Sequence, residues 1–402
     1  MTLRKEEAKR MLTSLALIFL LGLLLGALFN RFRLPSLLGM ILTGIILSPY
    51  ALGLLDDSIL GISADLRRFA LVIILTRAGL SLDIRDLKKV GRPAVLMCFV
   101  PALFEMLGVI LIAPKLLGVT VLEAAIMGSV LAAVSPAVIV PRMIRLTEEG
   151  YGTKRSIPQL ILAGASVDDV FVIVIFTALT ALAAGGTVSA LDFIQIPISI
   201  IVGVLVGVAT GLVLIKYFKT FHIRDSAKIL IILSVSFLLL ELETRLTGVL
   251  PMSGLLAIMS MGIAMNQFYT PLAIRLSDKY NKLWVAAEVI LFVLVGATVD
   301  LRFVVSAGIL AAAVVVFGML FRMIGVYISL VKTSFSKKER LFCMLAYTPK
   351  ATVQAAIGGL PLAMGIACGE QVLMLAVISI LLTAPFGAIS MDRSYKKLLT
   401  KE

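Results

Sequence analysis

Apolar runs long enough to cross a hydrocarbon core of about 30 Å recur along this whole 402-residue chain, and they restrict its architecture more than any other feature. A backbone that faces lipid must satisfy its own hydrogen bonds, so each such run has to be helical. The chain is 60% hydrophobic and 15% charged, with a mean hydropathy of +1.07. A soluble domain of this length is not so apolar. The sequence therefore predicts an all-α polytopic membrane protein with about 13 transmembrane helices. They cover roughly 11–30, 34–55, 67–82, 93–114, 119–141, 157–184, 191–215, 227–246, 249–267, 283–299, 303–331, 341–366 and 370–391. The charged start, MTLRKEEAKR, leads straight into the first run with no small-residue cleavage site. That run is read as a retained span rather than a signal peptide.

A net charge of +13 invites a nucleic-acid partner, but its distribution argues against one. Loops after odd-numbered spans, with the C-terminal tail, hold 25 of the 37 Lys and Arg; the opposite side holds nine, and three fall inside spans. This positive-inside bias predicts a multi-pass protein of the cell membrane, with the C-terminus cytoplasmic and the N-terminus outside. The basic N-terminal tail, Arg4, Lys5, Lys9 and Arg10, runs against the rule. Cys98, Cys343 and Cys368 lie in apolar surroundings, with spacing that suits neither a metal site nor a disulfide framework. The only histidine, His222, falls in a basic loop and is read as a solvated residue.

Asp168 and Asp169 interrupt the apolar stretch GASVDDVFVIVIFTALTALA, about halfway along the sixth span. An ionised carboxylate in hydrocarbon costs about 2.5–3.5 kcal/mol on insertion scales, so such residues usually line an ion or proton path. Two adjacent carboxylates also resist ionising together. A site that trades a proton for a cation needs that property.

The chain also repeats itself. LPSLLGMILTGIIL from Leu34 resembles LPMSGLLAIMSMGIAM from Leu250, and LVIILTRAGLSLDIR from Leu71 resembles EVILFVLVGATVDLR from Glu288, sharing Asp83 with Asp300 and Arg85 with Arg302. FEMLGVI from Phe104 matches FRMIGVY from Phe321, and AVSPA from Ala133 matches AYTPK from Ala346. The four matches keep their order, at offsets of 213 to 217 residues. The shift is seven spans, an odd number, so the two repeats, about 34–184 and 250–391, have opposite orientation. Inverted repeats mark secondary transporters, with the substrate site near the midplane. Residues 1–402 are accordingly read as a single integral membrane transporter domain. Pro136 and Pro141 in span 5 and Pro349 in span 12 sit at corresponding places and predict two discontinuous helices crossing at mid-membrane.

Other polar residues gather around that crossing. Lys350 directly follows Thr348-Pro349, and its ammonium is expected to face the negative ends of the broken helices. Glu105 and Arg322 occupy equivalent positions in spans 4 and 11, too far from the span ends to snorkel easily. Arg322 is expected to pair with Asp168, with Glu105, or with both. Ser135, Thr348 and Gln354 offer neutral oxygens to a cation, although membrane helices use such residues equally as interhelical contacts. Arg77 is within snorkelling reach of a span end, and Glu288, Glu241 and Glu243 are assigned no role.

These features resemble the monovalent cation/proton antiporter superfamily, the sodium/proton antiporters, over nearly the whole chain. VDDV resembles the family's paired-acid motif, VSPAVIVPRM and YTPKATVQAA its two broken crossing helices, and FRMIGVY the span that carries a basic residue opposite the acids. The resemblance implies that Asp169 binds cation or proton alternately, that Asp168 is the neighbour found as aspartate in the electrogenic branch, and that Arg322 is the basic partner. It implies Na+, with Li+ or K+ as alternatives, held at Asp169 and Asp168 and exchanged for protons in pH homeostasis. It further implies a homodimer with no cofactor besides the transported ions, and no enzymatic activity. Two protons per cation is the exchange ratio implied by the paired aspartates. By that correspondence exchange is expected to be electrogenic. The electrogenic branch usually carries lysine where this chain has Arg322, and arginine effectively never loses its proton; a second proton drawn from that basic residue would leave one-for-one exchange, and one drawn from the second aspartate keeps two for one.

Three other functions fit less well. A sodium-coupled organic solute symporter on a related fold needs a cavity with several polar side chains. An intramembrane aspartyl protease needs its aspartates on separate helices, whereas adjacent residues of one helix point about 100° apart. A channel does not need alternating carboxylates in an inverted repeat.

Overall fold

Helix follows helix throughout the computed structural model, which describes residues 2–32, 34–82, 91–184, 190–221, 223–246, 250–298 and 301–401; the side chains of 2–10, 166, 190–197 and 301–307 are not included. His222, Asp83, Arg85 and Asp300, and the side chain of Arg302, lie outside the described residues. In chain order the first helices are α1 (Thr2–Arg31), α2 (Ser36–Leu47), α3 (Asp57–Gly61), α4 (Ser63–Ser81), α5 (Arg92–Met97) and α6 (Val100–Leu117). Then come α7 (Val121–Leu131), α8 (Pro136–Glu148), α9 (Ile157–Ala184), α10 (Ala190–Thr220), α11 (Asp225–Leu246) and α12 (Gly254–Phe268). The last are α13 (Thr270–Ala297), α14 (Leu301–Ser329), α15 (Lys337–Ala346), α16 (Thr352–Ile357), α17 (Leu360–Ala363) and α18 (Gly369–Leu398).

Among the described residues, eight helical stretches are long and apolar enough to cross a membrane: Met11–Arg31, Arg92–Leu117, Val121–Glu148, Ile157–Ala184, Ile198–Thr220, Thr270–Ala297, Gly308–Ser329 and Gly369–Leu398. They coincide with expected spans 1, 4, 5, 6, 7, 10, 11 and 13. The other five take different forms. Ser36–Leu47, Gly254–Phe268 and Thr352–Ala363 are apolar but short. α4 and α11 are long enough but carry several charges, Asp65, Arg67, Arg68 and Arg77 in one and Asp225, Lys228, Glu241, Glu243 and Arg245 in the other. Length and apolarity together thus account for eight of the expected 13.

By contact the chain divides into two units. The first comprises Met1–Arg67, Val90–Val172 and Glu288–Glu402, and the second Arg68–Lys89 and Ile173–Ala287. In the first unit, α6 packs along α14 through reciprocal contacts. A Cβ on Gly108 would lie 2.9 Å from Phe321 Cβ, and one on Gly325 would lie 3.0 Å from Phe104 Cβ. Gly108 and Gly325, like Phe104 and Phe321, are separated by the repeat offset of 217. Two elements that exchange equivalent contacts in this way are related by a local two-fold, as an inverted repeat requires. In the second unit, α10 lies against α12 along a stripe of small residues: Gly203 and Gly211 leave room only for the carbonyls of Ser253 and Met261. Such stripes let apolar helices approach closely where no hydrophobic driving force separates lipid from protein.

Candidate ion-binding site

Two interrupted helices build the site in the first unit. α7 ends at Leu131 and α8 begins at Pro136, with Ala133–Ser135 non-helical between them. α15 ends at Ala346 and α16 begins at Thr352, with Thr348–Ala351 extended or irregular. The two gaps cross, joined by a backbone hydrogen bond in which Ser135 N–H donates to the Pro349 carbonyl at 2.8 Å. The predicted interruptions at Pro136 and Pro349 are therefore present. Pro141 does not break the chain's path: it lies inside α8, where its missing N–H removes one bond and the helix continues.

The prolines position side chains as well as ending helices. In a continuous helix the amide of residue i bonds the carbonyl of i−4, and proline has no such amide. Pro136 therefore releases the Ala132 carbonyl, which accepts from Arg322 Nη1. Pro349 releases the Leu345 carbonyl, which accepts from Thr348 Oγ1 at 2.8 Å. Pro101, in the first turn of α6, releases the Met97 carbonyl, which accepts from the Tyr347 hydroxyl at 3.4 Å. The same proline explains why expected span 4 is two helices, α5 and α6, with a turn at Cys98–Phe99.

Arg322 occupies the centre, with no exposed surface. Its Nη2 donates to Asp168 Oδ2 at 2.7 Å, its Nη1 to Glu105 Oε2 at 3.0 Å, and its Nε to the Tyr347 carbonyl at 2.7 Å. The guanidinium also lies 5.2 Å from the centroid of the Tyr347 ring. With Ala132, four acceptors surround a group that offers five donors. Asp168 Oδ2 accepts a second bond, from Val134 N–H in the α7–α8 gap, at 2.8 Å. Lys350 Nζ donates to Glu105 Oε2 at 2.5 Å, and its backbone amide donates to Thr383 Oγ1 of α18 at 2.9 Å. The Lys350 ammonium, expected at the negative ends of the broken helices, thus has an ion-pair partner in Glu105 of α6.

Asp169 differs from its neighbour. Its Oδ1 is buried and has no hydrogen-bond partner among the described residues, and the residue keeps 8% exposure where Asp168 keeps none. Ser135 Oγ is likewise buried and unpartnered, as are Asp168 Oδ1 and Thr352 Oγ1. Unsatisfied buried oxygens are rare, and each marks a place where a proton, water or cation would be stabilised. Gln354 does not supply such an oxygen. Its Oε1 accepts from Ala351 N–H at 2.9 Å, while its Nε2 donates to the carbonyls of Val130 and Ala133 at 3.1 and 2.9 Å. It staples one gap to the other. Thr348 directs its hydroxyl proton to its own helix end.

Every charged member of this cluster, and Ser135, Thr348 and Gln354 among its neutral ones, is marked in the sequence; three further neutral groups are not. Tyr347 escaped notice, although its place beside Thr348-Pro349 put it at the break. The carbonyl of Ala132 and the amide of Val134 carry no side-chain signal at all.

A polytopic helical bundle in which two broken helices cross beside buried carboxylates is the architecture of a secondary transporter of the antiporter fold. The solved structure of the sodium proton antiporter MjNhaP1 from Methanocaldococcus jannaschii at pH 8 shares that fold, with a TM-score of 0.83 at 20% identity over 98% of this chain and 99% of that one. A family model described as sodium/hydrogen exchanger, transmembrane, matches residues 15–393. Sodium/hydrogen exchanger 9B2 of Homo sapiens is 34% identical over 390 residues, covering 92% of this chain and 70% of that protein. Sodium/hydrogen exchanger 9B1 of Homo sapiens is 31% identical over 356 residues, covering 84% and 67%. The chain belongs to the sodium/hydrogen exchanger family.

Proposed function

We propose that this chain is a secondary active antiporter that exchanges a monovalent cation, Na+ foremost with Li+ or K+ as alternatives, for protons at Asp169. The observation that carries the reading is the asymmetry of the aspartate pair. Asp168 is neutralised by Arg322 at 2.7 Å, Glu105 is shared between Arg322 and Lys350, and Asp169, whose Oδ1 is buried, enters no ion pair among the described residues. With all five groups ionised the cluster carries one excess negative charge, and it belongs to Asp169. A proton or a monovalent cation there neutralises it, and only a neutral site crosses the low-dielectric barrier cheaply. Cation and proton therefore compete, and alternating access exposes the site to either side in turn.

That inventory favours one proton per cation. The two-for-one exchange implied by the paired aspartates needs a second proton carrier, and Arg322 does not serve, since its guanidinium stays charged. Asp168, the second aspartate, and Lys350 are the groups left that could carry it. The wider frame is a homodimeric carrier in the cell membrane, built from inverted repeats of about 34–184 and 250–391, with the N-terminus outside and the C-terminus cytoplasmic. Family membership weighs against the organic solute symporter.

The test is proton flux in proteoliposomes, followed with a pH-sensitive dye as sodium, lithium or potassium salts are added. Cation-triggered proton movement in the wild type and its loss in a folded Asp169→Asn variant are expected. Exchange that persists in Asp169→Asn would sink the assignment.

A further inference from the structure

The first unit contains a cavity of about 930 Å³ between the α1–α2 link, α8 and the end of α18. Five cationic side chains line it, Arg142, Arg145, Arg393, Lys396 and Lys397, against two acidic ones, Glu288 and Asp392. Asp392 is already engaged: its Oδ2 accepts from Arg142 Nη2 and its Oδ1 from Arg145 Nη2, each at 3.1 Å. Arg393 and Lys397 enter no ion pair among the described residues, and Lys396 rests its ammonium 5.7 Å from the centroid of the Tyr395 ring. The cavity thus holds unneutralised positive charge beside a carboxylate that two arginines share.

Its position narrows the ligand. Asn30, in the last turn of the apolar helix α1, and Lys396 and Lys397, in the last turn of the apolar helix α18, all line it. The cavity therefore opens where two membrane-crossing helices leave the hydrocarbon. Tyr395, with its hydroxyl donated to Glu149 Oε2 at 2.9 Å, stands at the same level, as aromatic residues do at a membrane–water boundary. A basic pocket between helices at that boundary suits a phosphate-bearing headgroup, held by electrostatic attraction and by guanidinium hydrogen bonds.

We propose that this cavity binds the phosphate of an anionic phospholipid headgroup, with Arg393, Lys396 and Lys397 attracting it and Arg142 and Arg145 sharing themselves between it and Asp392. The proposal is independent of transport at Asp169, and its test reads binding alone.

The purified full chain in detergent is titrated with short-chain phosphatidylglycerol, short-chain phosphatidylcholine or inorganic phosphate, and thermal stability is followed. Phosphatidylglycerol is expected to raise the melting temperature saturably, and phosphatidylcholine to leave it unchanged. The triple variant Arg393→Gln/Lys396→Gln/Lys397→Gln is expected to need roughly a hundredfold more phosphatidylglycerol for half the effect, from about one unit of attraction lost per cation. Lys337→Gln/Lys338→Gln, which removes basic residues of α15 outside the cavity, is expected to titrate like the wild type. Asp392→Asn removes the carboxylate that both arginines share, leaving Arg145 with Glu149 at 3.5 Å, and is expected to titrate at lower lipid, measured against its own baseline. Equal responses to the two lipids, or a triple variant that titrates like the wild type, would overturn the proposal. An equal response to inorganic phosphate would overturn the lipid as the source of the anion.

Discussion

Arg322 holds Asp168 at 2.7 Å through Nη2, and that contact separates the roles of two adjacent, chemically identical residues. Asp168 becomes half of a buried ion pair, further fixed by the Val134 amide. Asp169, one position on and turned about 100° around the helix, escapes the guanidinium.

Arg322 is the most consequential side chain for stability. Replacing it with alanine leaves Asp168 without its ion-pair partner and frees three other acceptors, an expected loss of about 3–5 kcal/mol. Arg322→Lys keeps the charge but cannot span acceptors on α6, α9 and both gaps. Melting temperatures in detergent should fall in the order wild type, Arg322→Lys, Arg322→Ala. Equal values for all three would contradict the central placement of the guanidinium.

Membrane potential distinguishes the two exchange ratios. With Asp169 as the sole unbalanced group, wild-type exchange should be insensitive to a potassium/valinomycin clamp. If the rate instead follows voltage and Lys350 is the second carrier, Lys350→Met should remove that dependence. Voltage sensitivity that survives in Lys350→Met would exclude Lys350 as the second carrier.

Gln354 satisfies the Ala351 amide and the carbonyls of Val130 and Ala133 together. Gln354→Ala strands them in a buried gap, with an expected destabilisation of about 1–3 kcal/mol. Gln354→Glu restores the acceptor but loses the donor, and should recover only part of the loss. Thermal melts of both variants make the comparison. A fully stable alanine variant would remove Gln354 from the crossing.

Gly387 of α18 is the floor beneath the second gap. A Cβ there would collide with the Pro349 ring and lie 2.9 Å from Thr348 Oγ1. Gly387→Ala should displace the gap, slow exchange severely and cost about 1–3 kcal/mol as overpacking. Gly61→Ala, which meets nothing within 4 Å, is the control and should behave as wild type. Exchange at the wild-type rate in Gly387→Ala would show that the gap tolerates displacement.

At the start of α11, outside the apolar stretch, the Lys228 ammonium beside Asp225 holds that carboxyl below the usual range, with Arg275 adding to the effect. A group depressed on folding contributes stability above its unfolded value, near pH 4, and loses it as the pH falls through the folded value. Asp225→Asn should therefore narrow the gap to wild type as pH drops below about 4. A constant difference in stability across pH 3 to 7 would count against the linkage.

Much of the site was legible because its parts are unusual in a membrane. Carboxylates, an arginine and a lysine inside apolar spans mark themselves, and prolines at matching places in two repeats mark the breaks. The expectation for Pro141 failed because a proline deep in a helix costs one bond that the remaining turns can tolerate. Of the two readings open for Gln354, the contact between helices is the one its hydrogen bonds show, because an amide offers donors and acceptors alike and the neighbouring backbone takes both.

The sequence by itself determined that this chain is a helical membrane protein, that it repeats in inverted order, and which carbonyls lose their amides to Pro101, Pro136 and Pro349. All of these depend on spacing along one chain. The tertiary structure alone decided which donors reach those carbonyls, that Glu105 receives Lys350, and that Arg322 takes Asp168 and leaves Asp169. Those pairings join residues 154 to 245 positions apart, and adjacent aspartates are indistinguishable until packing sets a guanidinium beside one of them.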